Sequence, residues 1–333
     1  MTSSNFCRPS IPYTTWSGPR SRRPPIVCFG TSILHWPRDD GAPEFLGLTP
    51  ATTQAERDEY ADITLEHDKV VNEPLAYRLN HWLKILGIGP LSTPPFETQV
   101  KLADAYLQLT VPSFEFPRAS LPNSVRFVGT LPIVPNQVPL PPWAHELDGT
   151  RKVVLITQGT VANHDFSLLV TPTLAALADQ PDLLVVVTAG GRPTDAIPGP
   201  IPSNARLASY LPFEWILPKT DVFVTNGGYG SVNQAMSFGV PLVCAGLTED
   251  KADVNARVGW SKMGINLKTN TPTPQMLRDA VRSVLDTGMY RRRASLMAEE
   301  FQHIDTRSEI LRAISQVSRN SAPLIRTALT SAK

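Results

Sequence analysis

Short unbroken apolar runs alternate with helical spacing through the second half of the chain. Val153-Val154-Leu155-Ile156, Leu183 to Val187, Val222 to Thr225 and Leu242 to Ala245 are such runs, the pattern of strands buried on both faces of a parallel sheet. Phe166 to Leu177, Ser231 to Phe238, Asp250 to Met263 and Pro274 to Leu285 read as helices, with Pro172 the objection to the first. In the last, Met276, Leu277, Ala280, Val281, Val284 and Leu285 make one apolar face. This βαβα rhythm predicts a doubly wound parallel sheet with right-handed crossovers. The first half is less regular. Ile26 to Gly30 reads as a buried strand ending in a glycine turn, and Leu107 to Val111 and Val125 to Val128 as two more strands. Residues 39–56 read as turns. Glu66 to Leu86 has helical spacing (Val70, Leu75, Leu79, Leu83, Ile85), divided or kinked at Pro74.

Proline sharpens the division. The chain of 333 residues holds 32, nearly double an average share of about 5%. Pro132, Pro135, Pro139, Pro141 and Pro142 make a semi-rigid linker. The expected organisation is a tail at 1–24, a partial N-terminal domain at 25–131, a proline-rich linker at 132–148, a C-terminal domain at 149–320 and a second tail at 321–333. Lys and Arg number 31 against 30 Asp and Glu, a formal charge of +1, which argues against nucleic-acid binding. Cys7, Cys28 and Cys244 lie too far apart to signal a zinc site or disulfide framework, and no HExxH pair occurs. No apolar run reaches the roughly 18 to 20 residues of a membrane span. The N-terminal stretch has no apolar export core, so the cytoplasm is the expected compartment.

Ligands of open parallel sheets bind beyond the carboxyl ends of the strands. Three predicted ends carry small polar residues and glycine: Thr157-Gln158-Gly159-Thr160, Thr188-Ala189-Gly190-Gly191 and Thr225-Asn226-Gly227-Gly228-Tyr229-Gly230-Ser231. The third ends a strand and opens a helix, where close backbone approach, free N–H groups and the Ser231 hydroxyl suit a pyrophosphate. A tight turn that holds no ligand is the alternative. Asn233 stands where a dinucleotide fingerprint needs its third glycine, and there is no P-loop.

Residues further on join that segment into a longer pattern. Gln234 lies about one turn after Ser231, followed by Gly239-Val240-Pro241, Asp250-Lys251 and Asn255-Ala256. Together they resemble the donor signature of the UDP-glycosyltransferase superfamily, GT-B fold, most closely its macrolide and antibiotic branch. Val125 to Gly129, Thr157 to Thr160 and Tyr210-Leu211-Pro212 fall in the family's order. The resemblance implies an α/β fold of GT-B type with two Rossmann-like domains, the N-terminal acceptor domain partial and the C-terminal domain binding the nucleotide-sugar. It implies inverting, metal-independent transfer of a hexosyl group from a nucleotide-sugar, with UDP expected, to a hydroxyl of a small lipophilic acceptor. No cofactor is expected, the nucleotide-sugar being a co-substrate.

Roles carry over residue by residue. Tyr210, with Pro212, falls where an aromatic ring stacks on the base. Gly227, Gly228, Gly230 and Ser231 fall on the diphosphate turn, and Gly159 and Thr160 on the first loop facing the phosphates. Gln234 replaces the usual ribose-binding glutamate, losing charge-assisted strength. Asn226 replaces a histidine beside the diphosphate, and Asp250-Lys251 stands for the usual Asp-Gln that holds the sugar.

The catalytic base stays unassigned. The family's histidine belongs to the first strand-to-helix region of the N-terminal domain, and this chain is expected to begin beyond it. His35 follows a predicted strand but reads as a loop histidine beside Trp36. His67 and His81 read as surface or interhelix residues, His145 as linker, His303 as structural, and His164 lies close after Thr160. Asp39-Asp40 is no metal-binding DxD, and Arg291-Arg292-Arg293 reads as a solvated helix face. Three alternatives remain open: a nucleotide-sugar binder or half-enzyme completed by a partner chain, an isomerase or hydrolase using His164 or Asp250, and a truncated gene.

Overall fold

A computed structural model describes residues 24–133 and 138–320. The tails expected at 1–24 and 321–333 fall outside them except for Pro24, as do Cys7 and Pro135 of the linker. In chain order the elements are β1 (Val27–Gly30), α1 (Gln54–His67), α2 (Glu73–Ile85), α3 (Pro95–Leu102), β2 (Ala105–Gln108), β3 (Val125–Phe127), β4 (Lys152–Thr157), α4 (Val170–Leu177), β5 (Leu183–Thr188) and β6 (Ala205–Ala208). Then come α5 (Phe213–Ile216), β7 (Val222–Thr225), α6 (Tyr229–Ser237), β8 (Leu242–Cys244), α7 (Lys251–Trp260), β9 (Gly264–Asn266), α8 (Pro274–Asp286), α9 (Gly288–Gln302) and α10 (Thr306–Asn320).

The strands form two parallel sheets: three strands in the order β1-β2-β3, and six in the order β6-β5-β4-β7-β8-β9. In the larger sheet the order reverses between β4 and β7, and a crevice opens at such a point. Side-chain alternation sends neighbours to opposite faces. Val153 and Leu155 of β4 join one core, with α6 and α9, while Val154 and Ile156 join another, with α4 and α8. Both faces are covered, which is why these strands read as continuous apolar runs. Two strands went unread: Ala-Arg-Leu-Ala of β6 and Gly-Ile-Asn of β9 have no such run.

Other expectations change in detail. The strand at 27–30 is only half-buried, and Phe29 is 44% exposed, because β1 has one hydrogen-bonded neighbour among the described strands. The predicted 166–177 helix starts at Val170, which places Pro172 in the first turn, where its missing N–H costs nothing. The first-half helix begins at Gln54, inside the region read as turns. Thr53 Oγ1 accepts the Glu56 N–H while Glu56 receives the Thr53 N–H, a capping box written as Thr-x-x-Glu. At Asp68–Asn72 a π-helical segment precedes Pro74, so this proline sits in the first turn of α2. Val70 and Ile85, which belong to the apolar spacing of that stretch, are exposed.

The halves share one core. Leu107, Phe114 and Val128 of the first half pack in the same cluster as Leu155, Tyr229, Met236 and Val258. Helix α10 crosses back to pack on β2, adding Ala313 to that cluster. At the seam the buried Glu115 carboxylate accepts from Arg257 Nη2 at 3.0 Å, Arg118 Nη1 at 3.1 Å and the Leu34 N–H at 3.1 Å. Burial opposes its ionisation, but the Arg257 and Arg118 charges outweigh burial and hold the carboxyl below its usual range. A carboxylate held low in the fold contributes stability that is present above its unfolded pKa and lost as pH falls through the folded value. Glu115→Gln strands two buried guanidinium groups and is expected to cost about 3–5 kcal/mol, read by urea unfolding near neutral pH. The gap between variant and wild type should close as the pH is lowered into the acid range.

Candidate functional site

Parallel pairing brings the carboxyl ends of β4, β5, β7 and β8 to one side, with Thr157 beside Thr225 and Thr225 beside Cys244. The loops that follow are wedged together. Gly190 has φ +62°, and a Cβ there would stand 2.0 Å from the Gly159 carbonyl oxygen. Asn163 Nδ2 donates to Ala189 O at 3.0 Å, and Asn226 Nδ2 to Gln158 O at 2.9 Å. Gly227 has φ +94°, and a Cβ there would come within 1.9 Å of Asn255 Oδ1. Asn255 Nδ2 in turn donates to Gly246 O at 3.0 Å.

Asn226, Gly227, Gly228, Gly230 and Ser231 therefore sit at the reversal point, next to Gly159 and Thr160. Gly228 is the N-cap of α6, which has no side-chain cap. The Val232 N–H makes the first intrahelical bond, to Gly228 O at 3.0 Å. The N–H groups of Tyr229, Gly230 and Ser231 lie ahead of it in a turn that has no intrahelical acceptor. Asn226 and Ser231 are less free than their sequence positions imply. One hydrogen of the Asn226 amide goes to Gln158 O, and the Ser231 hydroxyl donates to Gly228 O at 2.9 Å. Backbone donors, backed by the helix dipole, carry the anion-binding capacity here.

The remaining predicted residues spread around this centre. Gln234 is half-buried one turn along α6 and has no side-chain hydrogen bond among the described residues. Tyr210 lies beyond β6, two strands away from β4, 42% exposed and without a ring contact among the described residues. Its segment is tied in through the Gly191 N–H to Ser209 O at 2.8 Å, and Pro212, buried, starts α5. Asp250 and Lys251 point to different partners. Asp250 Oδ2 accepts from Ser32 Oγ of the first half at 2.6 Å, whereas the buried Lys251 pairs with Glu249. His164 is exposed, and its carbonyl oxygen accepts from Arg192.

Several residues escaped the sequence reading. Asn255 belonged to the motif, yet its bracing of the Gly227 turn shows only in space. Asp253 accepts the Phe45 N–H at 2.5 Å and the Gly47 N–H at 2.8 Å, and nothing in the sequence pairs positions 208 apart. Gln108 Nε2, donating to Ser32 O at 2.6 Å and Tyr229 Oη at 2.5 Å, joins the end of β2 to the start of α6.

Residues 172–317 match the family model described as Erythromycin biosynthesis protein CIII-like, C-terminal domain. The 4'-demethylrebeccamycin synthase of Lentzea aerocolonigenes is 40% identical over 279 residues, covering 83% of this chain and 65% of that protein. UDP-glycosyltransferase 2 of Phaeomoniella chlamydospora is 36% identical over 288 residues, covering 84% of this chain and 62% of that one. The chain thus spans somewhat under two thirds of the length of these curated relatives. Among solved structures, the calicheamicin glycosyltransferase CalG4 aligns with TM-score 0.62 at 21% identity, covering 88% of this chain and 70% of that one. The kitacinnamycin glycotransferase aligns with TM-score 0.59 at 22% identity, covering 81% and 68%. The fold is that of the GT-B glycosyltransferases. By sequence the chain is a homologue of the macrolide-type and UDP-glycosyltransferases, and it carries their EryCIII-like C-terminal domain.

The Gly227 turn yields a test of its bracing. Gly227→Ala meets both the Asn255 amide and a left-handed φ, the latter alone costing about 1–3 kcal/mol. Denaturant unfolding should show a larger loss than that, and Asn255→Ala in the same chain should recover part of it by removing the clashing atoms. Additive losses would mean that the two side chains do not compete for this space.

Proposed function

We propose that this chain binds a nucleoside-diphosphate sugar across the β4–β7 crevice and transfers the hexosyl group, with inversion, to a hydroxyl of a small lipophilic acceptor. The observation that carries this reading is the uncapped N-terminus of α6 beside three wedged glycine loops at the reversal of strand order. The diphosphate would lie against the first-turn N–H groups, with Gly228 and Gly230 leaving room for it. As the bond to the anomeric carbon breaks, negative charge grows on the leaving diphosphate, and fixed N–H dipoles aimed at that charge lower the barrier. No resident metal or other cofactor enters this scheme. Tyr210 would cover the base, Gln234 would meet ribose hydroxyls, and Asp250 with Lys251 would border the sugar. The names of relatives support UDP as the nucleotide, and the dTDP held by the fold relative VinC keeps a second nucleotide in the test.

Calorimetric titration of the purified chain with UDP, dTDP and UDP-glucose tests the reading, and micromolar binding is expected. A folded protein that binds none of them would overturn it, whereas binding without transfer to any acceptor would favour a nucleotide-sugar binder. A Cβ at Gly230 meets no atom within 4 Å. Gly230→Val should therefore fold as the wild type does and yet lose UDP affinity by filling the diphosphate space. Tyr210→Ala should weaken UDP by about 1–3 kcal/mol, the usual worth of base–aromatic stacking, and leave pyrophosphate binding unchanged. Equal weakening of both ligands would rule out stacking.

A further inference from the structure

The start of α7 is tied to the crevice on one side and to the first half on the other. Asn255 Nδ2 donates to Gly246 O at 3.0 Å and to Asn226 O at 3.3 Å, so the loop that leads into α7 lies against the 226–231 turn. Gly246 lets the two backbones touch, since a Cβ there would stand 2.2 Å from Asn226 O. Asp250 is the N-cap of α7. Aspartate is among the best residues for that position, because its carboxylate can accept the free N–H groups of the first turn. Asp250 makes no such bond. Its Oδ2 instead accepts from Ser32 Oγ, 218 positions earlier, at 2.6 Å, and its Oδ1 has no hydrogen bond among the described residues.

Ser32 is itself held. Its carbonyl oxygen accepts from Gln108 Nε2 at 2.6 Å, and the same nitrogen donates to Tyr229 Oη at 2.5 Å. Tyr229 is the first residue of α6. Gln108 is fully buried, and Gly30 makes room for its amide, because a Cβ at Gly30 would lie 2.3 Å from Gln108 Oε1. A path of polar contacts thus runs from the first residue of α6, through Gln108 and Ser32, to the cap of α7. Both ends belong to the second half, and the middle belongs to the first.

We propose that Ser32, held by Gln108, is a positioning residue that sets Asp250 for the hexosyl group of the donor. The proposal rests on the nucleotide-sugar reading above, in which the diphosphate lies at the α6 terminus and Asp250 borders the sugar. A carboxylate at a helix cap can turn onto the N–H groups of its own first turn. The Ser32 hydroxyl removes that choice, engaging Oδ2 and leaving Oδ1 to accept from a sugar hydroxyl. Because the path also reaches Tyr229, the spacing between this carboxylate and the diphosphate turn is set by contacts that the first half supplies. Selection of the sugar therefore depends on residues outside the half that holds the nucleotide. Ser32 acts here through Asp250, without touching the donor.

Calorimetric titration of the full chain with UDP and with UDP-glucose separates the contribution of the sugar from that of the nucleotide. Ser32→Ala should weaken UDP-glucose by about 5–10-fold, the worth of one hydrogen bond, and leave UDP affinity unchanged. Ser32→Thr, which keeps the hydroxyl, should restore most of the loss. In an Asp250→Ala background Ser32→Ala should cost nothing more, since the group that it positions is gone. A merely structural Ser32 would behave otherwise, weakening both ligands together or carrying its loss into the Asp250→Ala background. Either result overturns the assignment, as does an undiminished affinity of Ser32→Ala or Asp250→Ala for UDP-glucose. Should Ser32→Ala fail to fold, Ser32→Cys keeps the volume with only a weak S–H donor, and the same outcomes decide. Failure of the underlying reading looks different, because the wild type would then bind no UDP, and the assignment would fall with it.

Discussion

Glu115 is fully buried, with its carboxylate between Arg257 of α7 and Arg118 of its own loop and with the Leu34 N–H as a further donor. Inside a protein none of these charges can be left alone without a penalty of several kcal/mol. The pairing is therefore satisfied only when α7 is docked against the first half. Phe116 adds to this constraint by lying under the Arg257 guanidinium, 4.2 Å from its ring centre. Helix α7 is thus tied to the first half as well as packed on its own sheet.

From that fixed helix, side chains reach in several directions. Arg257 meets Glu115, Asp253 holds the 45–47 loop, and Asp250 accepts from Ser32. Asn255, on the same helix, occupies the space that a side chain at Gly227 would need. One element thus sets both the turn that opens α6 and the loop that carries His35 and Glu44.

The larger sheet was legible because burial on both faces leaves a continuous apolar run, as in Leu183 to Val187. The glycine turn at 226–231 was legible because a strand end so rich in glycine permits the left-handed backbone seen at Gly227. What could not be read were pairings between distant positions. Asp253 with Phe45, Gln108 with Tyr229 and Glu115 with Arg257 look like unrelated polar residues until the sheets are placed. His35, read as a loop residue, does lie in a loop, but its pairing with Glu44 nine positions on was not legible. The chemistry of Asn226 and Ser231 was legible, but not that one Asn226 amide hydrogen and the Ser231 hydroxyl hydrogen serve the local backbone. The start of α1 was misread for a smaller reason, its capping box lying within a stretch otherwise rich in turn residues.

Helix α10 lies across β2, with Ala313 in the same core as Leu107, so the last described helix covers a strand formed by residues 105–108. During synthesis, that strand leaves the ribosome long before its cover is made. Native burial of the first sheet waits on the far end of the chain, and non-local closure of this sort slows folding. The apolar face of β2 must survive meanwhile in the crowded cell, shielded by transient collapse or by a chaperone. Any release of the chain before α10 is complete would leave that strand uncovered and prone to aggregate, although the six-stranded sheet, whose strands end at residue 266, would already be entire.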